Sequence, residues 1–132
     1  MIDDSIRHTP VSADGLPKPA GPYSPGVVLD KLIFVSGQGA TNPQTGKIAG
    51  MDIESQTEQV LRNVEAILRA AGSDLDHVLR CNVYLTDISE FQRMNAVYRQ
   101  VFKDNRPART TVQVAALPGE NLRVEIDAIA YL

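Results

Sequence analysis

Tryptophan is absent from this 132-residue chain, Cys81 is its lone cysteine, and only 5% of its residues are aromatic. One cysteine excludes an internal disulfide framework and any thiolate-only metal cluster. The histidines, His8 and His77, stand far apart with no cysteine beside them, so they make no convincing metal site and read as surface or strand-end residues. The lysines, Lys18, Lys31, Lys47 and Lys103, fall in predicted loops, turns or helix ends, and none suits Schiff-base chemistry, which needs a desolvated amine. No apolar run is long enough to cross a bilayer; stretches such as Leu32–Val35 are strand-sized. Asp3 and Asp4 precede any hydrophobic segment, unlike the basic start of a signal peptide, so the expected setting is the cytoplasm with no membrane partner. A formal charge of −3 implies no broad basic surface, which argues against a nucleic-acid partner. Dinucleotide, phosphate-loop, nucleophile-elbow and zinc-protease motifs are missing too.

What remains is globular composition, with 43% apolar and 22% charged residues. The length suits a single domain, residues 1–132. Ser5–Thr9 reads as a short edge strand, followed by a Pro- and Gly-rich irregular segment over 9–26. Val27–Leu29 and Leu32–Ser36 are β-rich, and Asp30-Lys31 between them suggests a tight hairpin. Residues 37–51, with Gly37, Gly39, Gly46 and Gly50, read as a loop. Ile53, Thr57, Val60, Leu61, Val64, Ile67, Leu68 and Ala71 recur at helical spacing, with Asp52 as N-cap and Gly72 as the stop. Glu58, Arg62, Glu65 and Arg69 form the solvated face of that helix.

Over 77–86, Leu79, Cys81, Val83 and Leu85 alternate with Arg80, Asn82, Tyr84 and Thr86, which predicts a half-buried strand. Asp87 and Glu90 fit a capping box for a second helix running to Phe102. A strand near Thr110–Ala116, a Pro118-Gly119 turn and a last strand from Leu122 to Tyr131 complete the chain. The order ββ-α-β-α-ββ with two amphipathic helices predicts an α+β two-layer sandwich, both helices on one face of a single sheet. The other face would carry Arg80, Asn82, Tyr84, Arg123, Glu125, Asp127, Ile129 and Tyr131. The 110–116 strand adds either Thr111, Gln113 and Ala115 or Thr110, Val112 and Val114. Such a face either meets water or packs against copies of itself.

Two residues stand out as carriers of chemistry. Arg109 follows Pro107-Ala108 at a strand entrance, where it either pairs at the surface or clamps a carboxylate with its fork. Glu125 lies mid-strand on the less apolar face, either as an interface ion-pair partner or as an acid/base group. Cys81 lies on the apolar side and reads as core.

An ordered set of segments resembles the RidA/YjgF-type imine deaminases, a family also known as L-PSP endoribonucleases. The segments are Gly21-Pro22-Tyr23-Ser24-Pro25-Gly26, Val35-Ser36-Gly37-Gln38, Asn63-Val64-Glu65-Ala66-Ile67-Leu68 with Ala70-Ala71-Gly72, and Val83-Tyr84-Leu85-Thr86-Asp87. Met94-Asn95-Ala96-Val97-Tyr98, Pro107-Ala108-Arg109, Leu117-Pro118 and Val124-Glu125-Ile126-Asp127-Ala128-Ile129-Ala130 follow in order, covering about residues 20–131. The resemblance implies a chorismate-mutase-like α+β fold with a mixed sheet. It also implies a homotrimer with a central β-barrel, helices outside and clefts between subunits. The implied activity is hydrolysis of enamines and imines, such as 2-aminoacrylate, to 2-keto acids and ammonia, with no metal and no cofactor. By the same resemblance Arg109 grips the substrate carboxylate and Glu125 holds the attacking water or moves protons. Tyr23, Ser36 and Asn95 would line the substrate site. Thr111 stands where the archetypal members commonly have cysteine, which removes any thiol role; it can substitute if that position serves through its backbone groups, and the change leaves open a neighbouring Rid subgroup with a different substrate. A binding or chaperone-like trimer without catalysis is the alternative. RNA cleavage fits poorly with the acidic charge and the lack of a suitable histidine pair.

Overall fold

The apolar stripe read from residues 53–71 folds as α1, Ile53–Ala70, and buries Ile53, Val60, Leu61, Val64, Ile67 and Leu68. Asp52 caps it by accepting from the Ser55 amide at 2.9 Å, and Gly72 follows its end at φ +92°, where a side chain would be strained. Arg62 and Arg69 pair with Glu58 and Glu65 on the solvent side. The computed structural model describes residue 3 and residues 5–132; Asp4, named above, lies outside them.

The strands are β1 (Thr9–Pro10), β2 (Gly26–Leu29), β3 (Leu32–Gln38), β4 (Val78–Leu85), β5 (Ala108–Gln113) and β6 (Val124–Tyr131). They form one sheet in the order β1-β2-β3-β6-β4-β5. Only β4 and β5 run parallel, because α2 (Phe91–Phe102) crosses between them; the sheet is therefore mixed. Both helices pack on one face, around Ile33, Val83, Leu85, Val124, Ile126 and Met94, all fully buried. This is the expected α+β two-layer arrangement. Among the described residues, no helix is long and apolar enough to cross a membrane.

Several local expectations need correction: β3 runs on through Gly37 and Gln38, where the sequence reads as loop, and β6 begins at Val124 instead of Leu122. Ser5–Thr9 is not a strand: Ser5 donates through N and Oγ to Asp3 Oδ1, which turns the chain there, and only Thr9–Pro10 pair with β2. Leu79 does not face the core. A register shift between Val78 and Arg80 inserts one residue into β4 and leaves Leu79 exposed while Cys81, Val83 and Leu85 stay inside. Asp87 and Glu90 form no reciprocal capping box. Asp87 caps a short 3-10 turn over Ile88–Glu90, and the Glu90 carboxylate is buried against Arg123 at 2.9 Å. The β5 strand starts two residues earlier than read, at Ala108, because the chain pairs with β4 as soon as Pro107 is passed.

A candidate active site in two halves

Register decides which side of the sheet each candidate occupies. On β5, Arg109 stands beside Cys81 and Thr111 beside Val83, so both project toward the helix layer. Thr110 and Val112 therefore belong to the open face, which settles the alternative left by the sequence. On β6, Glu125 stands opposite Tyr84 and Asp127 opposite Asn82, on the open face. Within one chain Arg109 and Glu125 thus lie on opposite faces of the sheet and line separate cavities.

The Arg109 half is built by α2. Asn95 Oδ1 accepts from Arg109 Nη2 at 2.7 Å. The guanidinium carbon lies 4.6 Å from the centre of the Tyr98 ring and 5.5 Å from that of Phe91. Two aromatic faces and one amide hold the fork, and among the described residues no carboxylate pairs with it. Asn95, Tyr98 and Arg109 line a cavity of about 250 Å³ with Arg99, Arg106 and Pro107. Thr111 Oγ1, two residues beyond, is buried without a hydrogen-bond partner. Cys81 lies beneath, where burial pushes its thiol up to about 11, so it is inert as a nucleophile.

The Glu125 half opens on the other side. Glu125 lines a cavity of about 300 Å³ together with Tyr23, Gly37, Gln38, Asn63 and Leu122. Burial raises the Glu125 pKa above its ordinary value, and the like charge of Asp127 raises it further. Asp127 itself accepts from Asn82 Nδ2 at 2.9 Å and Tyr84 OH at 3.0 Å. Gly37 sits where β3 shifts register against β6 by one residue. A Cβ there would lie 2.6 Å from Glu125 Oε2, so the bare glycine makes room for the carboxyl. Ser36 donates Oγ to the Ser24 carbonyl at 2.7 Å and its amide to the Pro25 carbonyl at 2.9 Å. Its role here is to anchor the segment that carries Tyr23, whose exposed ring lies at the cavity wall.

The structure therefore joins Tyr23 with Glu125, and Asn95 with Arg109, and leaves Thr111 beside the second pair. It also gives roles to two residues that the sequence reading left without one. Gln56 and Asn63, seven positions apart on the buried side of α1, hold the loops that wall the Glu125 cavity. Gln56 Nε2 donates to Gly50 O and Asn121 O at 2.9 and 2.8 Å, and its Oε1 accepts from the Arg123 amide at 2.7 Å. Asn63 Nδ2 donates to Gly39 O and Thr41 O at 3.1 and 2.9 Å. Polar amides inside an otherwise apolar helical stripe were the available signal.

Fold and halves together define a class: a small α+β protein with an aromatic-bedded guanidinium on one face of its sheet and a half-buried carboxyl on the other. The sequence profile of the endoribonuclease L-PSP family matches residues 14–132. The chain belongs to that family, in agreement with its resemblance to RidA/YjgF proteins. It is 45% identical over 121 residues to a RutC family protein of Pyrococcus horikoshii, covering 92% of this chain and 95% of that one. It is 41% identical over 126 residues to the human 2-iminobutanoate/2-iminopropanoate deaminase, covering 96% and 91%. The crystal structure of E. coli TdcF with bound serine superposes with a TM-score of 0.88 at 38% identity, covering 95% of this chain and 98% of that one.

Proposed function

We propose that this protein hydrolyses small 2-imino acids, including the imine derived from 2-aminoacrylate, to 2-keto acids and ammonia. The observation that carries the reading is the Arg109 fork, bedded on Tyr98, fixed by Asn95 and matched to no carboxylate among the described residues. A planar guanidinium held in this way suits the carboxylate of an imino acid. Relatives at 41% identity that bear the deaminase name support the same reaction.

The chemistry is light. An enamine gains a proton at its terminal carbon and becomes an imine, whose carbon is already electrophilic. Water adds there, forming a C–O bond while the C=N π pair moves to nitrogen. The carbinolamine then expels ammonia, so that imine plus water gives keto acid plus ammonia. Neither a metal nor an organic cofactor is needed for these steps. Glu125, with its raised pKa, takes a proton from the water and returns it to the leaving nitrogen; a positioned group of this kind contributes about 10²–10⁴-fold. Arg109 and Asn95 orient the carboxylate, Thr111 lies two residues further along the same side of β5, and Tyr23 closes the Glu125 side.

Because the two halves sit on opposite faces of one sheet, the working site draws them from neighbouring copies. The open face carries exposed Leu32, Phe34, Val112 and Tyr131 around its polar centre, a surface suited to self-association. A homotrimer with its sheets forming an inner barrel is the assembly we propose, with the substrate in the cleft between subunits.

A coupled assay that releases 2-aminoacrylate from serine tests the activity. Faster pyruvate formation supports it; keto-acid binding with no change in rate would instead support a binding protein. Glu125→Gln is expected to retain keto-acid binding and to slow hydrolysis about 100-fold. Equal loss of binding and turnover would assign Glu125 to a structural ion pair.

A further inference from the structure

Seven of the arginines divide by partner, while Arg80 bonds the Thr110 hydroxyl on the open face of the sheet. Arg62, Arg69, Arg93 and Arg123 each face a glutamate. Arg99, Arg106 and Arg109 appear in no ion pair among the described residues, and all three line the same cavity of about 250 Å³. No acidic side chain lines that cavity. In a chain whose formal charge is −3, three cations around one small space are a local reversal of sign.

The placement is built into the backbone. Arg99 lies one helical turn beyond Asn95 on α2, so it projects along the same wall as the amide that fixes Arg109. Arg106 precedes Pro107, which stiffens the approach to β5, and its Nε donates to the Lys103 carbonyl at 2.9 Å. One anionic group on the ligand satisfies Arg109. Arg99 and Arg106, both on exposed residues at the rim, then face a second anionic group a few carbons away. At about 250 Å³ the cavity is smaller than ordinary ligand pockets, which start at about 300 Å³, and so suits a small metabolite.

We infer that the Arg109 cavity is a dianion site and that the preferred substrates are imines of dicarboxylic amino acids. This rests on the carboxylate role proposed above for Arg109 and adds the side-chain carboxylate as the second anchor. A 2-imino monocarboxylate uses one of the three guanidiniums; a 2-imino dicarboxylate engages all of them. The reaction is unchanged, with water replacing the imine nitrogen at the same carbon.

Titration calorimetry on the full-length protein, at fixed pH and ionic strength, tests this with the products as probes. The wild type is expected to bind 2-oxoglutarate about tenfold more tightly than 2-oxobutanoate, the increment of one extra charge-assisted contact at a partly exposed site. Arg99→Gln with Arg106→Gln should bring that ratio close to one, and Arg99→Lys with Arg106→Lys should restore part of it. Both residues are exposed, so these variants should fold, and circular dichroism checks that they do. A wild-type ratio near one overturns the inference, as does a ratio that survives the double substitution. Inorganic phosphate serves as the third probe: if it binds more tightly than 2-oxoglutarate and competes with it, the cavity is a phosphate site and the inference also fails. The coupled assay separates this outcome from the deaminase reading. Acceleration without a binding preference sinks only the dianion site, whereas preference without acceleration leaves a dianion-binding cavity and removes the substrate claim together with the catalysis.

Discussion

Replacing Gly37 by alanine adds one methyl group, and its position is set by the backbone. The new carbon would lie 2.6 Å from Glu125 Oε2, 2.9 Å from Cδ and 3.2 Å from Cγ. Ordinary contact distances are about 3.5–4.0 Å, so the carboxyl must retreat by roughly 1 Å. The atoms in the way belong to a side chain, which can turn to another rotamer at a cost of about 0.5–1.5 kcal/mol. The backbone at Gly37 is outside the left-handed region, so alanine itself adds no strain there. The fold should therefore survive while the Glu125 carboxyl moves, and for the proposed reaction a displacement of this size can cost about 100-fold in rate. The coupled pyruvate assay reads kcat/KM, and thermal unfolding checks that stability changes little. The same substitution in a Glu125→Gln background is the control, since a methyl that acts only through the carboxyl should cost nothing further there. Wild-type turnover in Gly37→Ala would refute the reasoning, because the carboxyl's placement would then not matter. Undiminished additivity with Glu125→Gln would refute it too.

Two further outcomes follow from the site. Arg109→Lys should lose about 100-fold or more in kcat/KM while folding normally, because an ammonium cannot reproduce a planar two-donor grip on a carboxylate; steady-state kinetics with near-normal values would remove Arg109 from the substrate. Asp127→Asn removes the like charge beside Glu125, so the Glu125 pKa should fall and the acidic limb of the kcat/KM profile should move to lower pH. The sign extends to folding: a carboxyl whose pKa is raised in the native state makes folding less favourable as pH rises from the unfolded value through the folded one. That dependence should flatten in the same variant.

The periodic elements were legible because burial writes them directly. The α1 stripe, the alternation of β6 and the Asp52 cap each depend on residues close in sequence. What required coordinates was register and long-range pairing. Arg109 and Glu125 could both be singled out, yet nothing local says that they occupy opposite faces. That follows from β5 pairing in parallel with β4, with Arg109 beside Cys81. Leu79 was misplaced because an inserted residue in β4 breaks the alternation at one point, and a period of two cannot foresee a bulge. Glu90 was misread because its partner, Arg123, lies 33 residues away and competes with the local cap. Gly37 looked like a loop residue; its meaning depends on Glu125, which β6 brings against it.

The separation of the halves also supplies the sharpest test of the assembly. If each working site takes Arg109 from one subunit and Glu125 from its neighbour, two inactive variants can repair one another. An Arg109→Lys chain still carries an intact Glu125 half, and a Glu125→Gln chain an intact Arg109 half. Co-refolding equal amounts yields mixed rings, in which a site is whole only when the right chains adjoin in the right order. With random mixing that occurs at about one quarter of the sites of a cyclic assembly. Activity should therefore rise from near zero in each parent to about a quarter of the wild-type value. Because the aromatic bed of Arg109 and the glycine beside Glu125 are untouched in both chains, the repaired sites should show wild-type KM. A mixture no more active than its parents, with mixed assemblies demonstrated by mass, would mean that both residues serve one chain or that neither is catalytic.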